Sequence, residues 1–154
     1  MQKSTDRIEK EILLRAPISR VFRALTDAAE FGTWFRVRLD GSFRPGACVK
    51  GRITYPGYEH LTMELTVEQL QPERLFSYRW HPYAVDPGVD YSSEPSTLVE
   101  FRLEPAAEGT LLRVSESGFD RLPPARRTEA YRMNEPGWTE QLHNIERHVT
   151  AAAA

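Results

Sequence analysis

The chain has very little cysteine and lysine, and no long apolar run. Among 154 residues Cys48 is the one cysteine, so no disulfide can form within the chain. A cysteine-ligated zinc or iron–sulfur centre would need more thiolates. No Gly-rich phosphate loop is present either, which removes the usual nucleotide cradle. No segment approaches the ~20 apolar residues of a membrane-spanning helix, and the N-terminus MQKSTDRIEKEILL lacks the apolar stretch of a secretory signal. A cytoplasmic protein is the expectation. Only Lys3, Lys10 and Lys50 stand beside seventeen arginines. Arginine favours phosphate contacts, but twenty cations are interleaved with twenty-two acids for a formal charge of −2. A nucleic-acid binder shows a basic face or stripe, so nucleic acid is excluded as a partner.

The content is that of an ordinary globular chain, with 40% hydrophobic and 10% aromatic residues. Residues 8–14 alternate in polarity and predict a half-buried strand. Pro17 suits the start of a helix, and Val21, Phe22 and Leu25 follow at helical spacing, giving a short helix over 17–26. Asp27 reads as the N-cap of a second short helix, from Ala28 to about Phe31, closed by Gly32. Strand signals then run from residue 36 to Glu116, punctuated by Pro45-Gly46, Pro56-Gly57, Gln71-Pro72-Glu73 and Ala107-Glu108-Gly109. Residues 82–96 read as a long loop. Residues 123–150 predict a long helix whose apolar stripe is Tyr131, Trp138, Leu142, Ile145 and Val149. Pro136-Gly137 predicts a kink or break in it.

Strand, two short helices, about six strands and a long helix make an α+β domain over residues 1–154. A six- or seven-stranded antiparallel sheet with one polar face can curl around the long helix and leave a cavity between them.

Several short motifs, in order, carry a resemblance: Ala16-Pro17 leading to Val21-Phe22-Arg23-Ala24-Leu25-Thr26-Asp27, then Trp34-Phe35, Pro72-Glu73-Arg74-Leu75, Tyr78-Arg79-Trp80, Gly109-Thr110, Ser117-Gly118-Phe119 and Gly137-Trp138. With these, residues 7–149 resemble the Hsp90-ATPase-activator-homologue-like family of the SRPBCC / START / Bet v 1-like superfamily. The resemblance implies a helix-grip fold. Function is implied less sharply, because this superfamily includes ligand carriers, cyclases and co-chaperone domains. Tyr55-Pro56-Gly57-Tyr58 is shorter than the corresponding connection in many relatives, which implies a more open cavity mouth.

Candidate site residues follow from the placement of the aromatics. Phe76, Tyr78 and Trp80 share one strand face. Trp34 and Phe35 follow the second helix, Tyr55 and Phe101 lie on inward strand positions, and Trp138 and Leu142 lie on the stripe of the long helix. These residues either line a cavity for a small hydrophobic or aromatic molecule or simply fill the core. Gly137 suggests close packing of helix on sheet at Trp138. Glu116 shares parity with Leu112 and Val114, so it points inward as a polar anchor or general acid, unless the strand ends at Ser115 and leaves it in water. Buried, its carboxyl pKa should rise. His81, at a strand end, is a second acid–base candidate. His60, His143 and His148 read as surface groups, and no metal site or cofactor is expected. Cys48 lies beside Lys50 and Arg52, which would lower its pKa, but an exposed, unreactive thiol is the preferred reading. Binding of an apolar ligand ranks first, a cyclase- or hydrolase-like enzyme second and an Hsp90 co-chaperone-like module third. The charged outer strand faces suit a monomer or a weak homodimer.

Overall fold

In a computed structural model, residues 6–82, 91 and 93–150 are described. The element order is β1 (Arg7–Leu14), α1 (Ile18–Thr26), α2 (Ala28–Phe35), β2 (Val37–Asp40), β3 (Cys48–Ile53), β4 (Thr62–Gln71), β5 (Leu75–Trp80), β6 (Thr97–Ala106), β7 (Gly109–Ser117), a single 3-10 turn at Phe119–Arg121, and α3 (Pro124–Thr150). The strands form one antiparallel sheet in the order β1-β7-β6-β5-β4-β3-β2. It curves around α3, so the fold is α+β, as the sequence pattern implies, and of the helix-grip kind that the resemblance implies.

The period-2 segments become strands whose apolar parity is the inner face. Met63, Leu65 and Val67 of β4, Val99, Phe101 and Leu103 of β6, and Leu112 and Val114 of β7 are all buried there. Helix α3 lays Ala130, Trp138, Leu142, Ile145 and Val149 against this face. Each large apolar side chain so buried contributes about 1.5–3 kcal/mol from area alone. Tyr131 is only half-buried. Its ring meets Phe119 at 5.2 Å and its hydroxyl donates to the Arg7 carbonyl at 3.1 Å.

Three local expectations need correction. The second helix does not stop at Gly32. It runs to Phe35 and ends on Arg36, which takes the left-handed conformation at φ 69°. Gly32 has a different purpose: a Cβ there would lie 2.2 Å from the Val37 carbonyl oxygen, so glycine lets α2 pack against the start of β2. The N-cap reading of Asp27 is correct, with its Oδ1 accepting from the Ala29 and Glu30 amides at 3.0 and 3.1 Å, an interaction of about 1 kcal/mol. Of the kink or break expected at Pro136, the break does not occur: α3 is helical from residue 124 to residue 150, because packing of the flanking stripe outweighs one missing backbone hydrogen bond. Gly137 marks no close contact, because a Cβ added there meets nothing within 4 Å.

Most of the 82–96 loop lies outside the described residues. Its described part is tied down by Arg126, which donates to the Pro82 carbonyl at 2.7 Å and to Glu94 at 3.1 Å.

Candidate functional site

Antiparallel register places Glu116 on the inner face near the end of β7, opposite Ile8 on β1 and Val99 on β6. Trp80, at the end of β5, is paired with Thr97 of β6. Trp80, Thr97 and Glu116 therefore form a diagonal row across three adjacent strands. From the other side, α3 contributes Asn134 and Trp138, one turn apart and so on one face.

These residues converge on the Glu116 carboxylate, which is fully buried. Its Oε1 accepts from Asn134 Nδ2 at 3.0 Å and Trp138 Nε1 at 2.8 Å. Its Oε2 accepts from Trp80 Nε1 at 2.7 Å and Thr97 Oγ1 at 2.5 Å. A carboxylate has about four lone-pair sites, and all are used. Two of the donors are indole N–H groups, which cannot accept, so the position suits an acceptor-only side chain. Burial pushes the Glu116 pKa above the usual carboxylate range, and the hydrogen bonds from Thr97, Trp138, Trp80 and Asn134 oppose that rise. The inward reading is thus correct, and the alternative of a strand ending at Ser115 with Glu116 in water is not. With every lone pair engaged, Glu116 has no site left for a substrate proton, and this arrangement suits an anchor better than a general base.

Next to this anchor the aromatic candidates form a continuous cluster. The Trp80 and Trp138 centroids are 6.0 Å apart, and Phe35 lies 6.0 and 6.3 Å from them. Phe101 touches Trp138 at 5.7 Å and Phe76 at 6.3 Å. The Trp34 ring lies 6.5 Å from Phe101, and its indole N–H donates to the Ala24 carbonyl at 2.8 Å. Leu142 is buried on α3 in the same core. Phe31 and Phe43 belong to the cluster too, with Phe31 4.9 Å from Trp34 and Phe43 5.1 Å from Phe76.

Tyr78 carries one of two buried side-chain polar atoms without a hydrogen-bond partner among the described residues, the other being Arg127 Nε. The Tyr78 ring packs 5.6 Å from Trp80 and 5.8 Å from Phe76. Its hydroxyl is buried and meets no hydrogen-bond partner among the described residues. Burial, with the nearby Glu116 charge adding, pushes the phenol pKa well above its ordinary value, so the group stays neutral and able to donate.

The structure leaves some candidates outside. Tyr55 is not part of the cluster: its ring contacts Tyr58 at 5.7 Å, Arg36 lies over it at 5.3 Å, and its hydroxyl meets Glu140 at 3.4 Å. His81 Nε2 sits 3.1 Å from the Glu94 carbonyl oxygen and is not among the partners of Glu116. His148 is half-buried rather than free on the surface, with Nε2 2.9 Å from Glu30 Oε1. Cys48 is exposed, as expected of an unreactive thiol, and its surroundings do not lower its pKa. A hydrogen bond from Sγ to Glu64 at 3.1 Å, with burial and the Glu64 charge, raises the thiol pKa and outweighs Lys50. No group of three or more His, Cys, Asp or Glu suited to a metal occurs among the described residues, and no described helix is long and apolar enough to cross a membrane. Asn134 and Thr97 were not evident as site residues. The signal for Asn134 was its spacing of four from Trp138.

Comparison with known proteins bears on the fold and the family. No curated protein matches the chain. Among solved structures, a Mesorhizobium loti protein superimposes with a TM-score of 0.75 at 23% identity, covering 96% of this chain and 99% of that one. DynU16, a protein of the dynemicin biosynthetic locus, gives 0.72 at 22% identity over 95% of this chain and 48% of its own. The solution structure of the Aha1 dimer from Colwellia psychrerythraea gives 0.72 at 17% identity over 96% and 98%. These likenesses share the fold, and the family profile of the activator of Hsp90 ATPase homolog 1-like proteins matches residues 15–150; the chain belongs to that family.

Proposed function

We propose that the protein binds a small apolar or aromatic molecule between the sheet and α3. The observation that carries this reading is the Tyr78 hydroxyl. A buried hydroxyl without a partner costs about 1–3 kcal/mol, and a ligand with one acceptor atom would remove that cost. The surrounding rings give an apolar setting with few polar groups, the usual composition of a small-molecule site. Trp80 is half-buried, so its movement is the simplest way to admit a ligand between Phe35, Tyr78 and Trp138.

The test is titration with a panel of neutral aromatic and lipid molecules, followed by tryptophan fluorescence and calorimetry. At least one member should bind below millimolar and quench the Trp80–Trp138 pair. Tyr78→Phe should weaken an acceptor-bearing ligand by about tenfold while leaving the unliganded fold as stable as before or more so. A panel without any binder below millimolar overturns the reading.

A further inference from the structure

Binding of an apolar molecule leaves Glu116 unexplained, since a hydrophobic core has no need of a fully buried carboxylate. The four donors around it are all neutral. Hydrogen-bond dipoles stabilise the anion, but they do not cancel its net charge. No ion pair between Glu116 and a cation occurs among the described residues, and its pKa is set by burial and the four hydrogen bonds. Ile8 faces it from β1, Thr97 and Val99 from β6, Trp80 and Tyr78 from β5, and Asn134 and Trp138 from α3. Lys10, the cation joining β1 to α3, is bound to Glu135 at 2.5 Å.

We infer that this interior selects its ligand by charge, admitting neutral or cationic aromatic molecules and rejecting anionic ones. The inference rests on the binding reading above and deepens it. An anion entering next to Trp80 and Trp138 comes within reach of a like charge where little water screens the repulsion. An organic cation meets the same charge as an attraction and gains the faces of two indoles. Anionic lipids and aromatic acids are therefore poor ligands, and aromatic amines or neutral carbonyl compounds are good ones. The raised pKa of Glu116 sets the pH side of the effect: discrimination is full where the carboxyl is ionised and fades as pH falls and it takes up a proton.

Three matched probes test this by calorimetry on the intact chain: methyl 2-naphthoate, 2-naphthylmethylammonium and 2-naphthalenesulfonate, the last anionic at every pH used. At the alkaline end of the series, about pH 8, where Glu116 is most ionised, the ester and the ammonium should bind at least about tenfold tighter than the sulfonate. That gap should shrink as pH is lowered, and in Glu116→Gln. Should that variant not fold, the pH series on the unaltered chain makes the same measurement. Equal affinity of sulfonate and ester at pH 8 overturns the charge selection and leaves the binding reading intact. If none of the three binds, the charge selection falls, and the binding reading stands or falls on the wider panel.

Discussion

On the outer face of the sheet, Arg113 of β7 reaches Glu11 on one neighbouring strand at 3.0 Å and Glu104 on the other at 2.7 Å, and Arg79 of β5 reaches Glu68 of β4 at 2.9 Å. On the inner face, Glu116 of the same β7 is paired with no cation among the described residues and is held by two indoles, an amide and a hydroxyl. Outside, water does most of the solvation, and each ion pair adds little. Inside, the protein's own dipoles replace water, and losing any one of them leaves a buried polar group exposed to its desolvation cost.

Glu116→Ala should produce the largest effect, because it strands two indole N–H groups, an amide and a hydroxyl around a void. A loss of about 3 kcal/mol or more in urea unfolding is expected. Trp138→Phe keeps a ring but removes one donor to a charged acceptor. It should lower stability by about 1.5–3 kcal/mol and push the Glu116 pKa higher still, which carboxyl NMR would read. Arg79→Ala, on the other face, should change stability by only about 0–1 kcal/mol.

pH separates the inner carboxylate from a partly exposed one. Glu116 takes up its proton at a higher pH in the folded chain than in the unfolded chain. Between those two values the folded state holds more protons, so stability falls as pH rises through the interval and levels off above it. Glu30 behaves in the opposite way. Partial burial works to raise its pKa, but hydrogen bonds from His148 and Arg20 and the charges of Arg20 and Arg23 outweigh that and hold it below the usual range. Its contribution is present above the unfolded carboxylate pKa and is lost as pH falls toward the depressed value. Unfolding midpoints of Glu116→Gln and Glu30→Gln relative to the unaltered chain, followed from about pH 4 to pH 8, should drift in opposite directions.

Much of the fold was legible because strand parity is a local property. Leu112, Val114 and Glu116 share a face whatever their neighbours, so the inward direction of Glu116 could be read from three alternating positions. Its partners could not be read that way. Trp80 and Trp138 lie 36 and 22 residues away in the chain, and only the register of β5, β6 and β7 with the docking of α3 brings them together. Gly32 misled for a related reason: a glycine after four helical residues looks like a stop, and only the nearby Val37 carbonyl shows that it is a contact. Tyr55 has the right parity on its segment, yet it sits past the end of β3, where sheet parity no longer directs it into the core.

The pairing of β1 with β7 has a kinetic consequence. Arg7 lies opposite Ser117, so this pair must close a loop of roughly a hundred residues, whereas β2 through β7 join as successive antiparallel neighbours. Long-range closure is slow because its entropy is lost before the contacts form. β1 precedes every other strand of this sheet in the chain and pairs with the strand that comes last, and until that pair closes β7 remains an open edge beside the buried carboxylate.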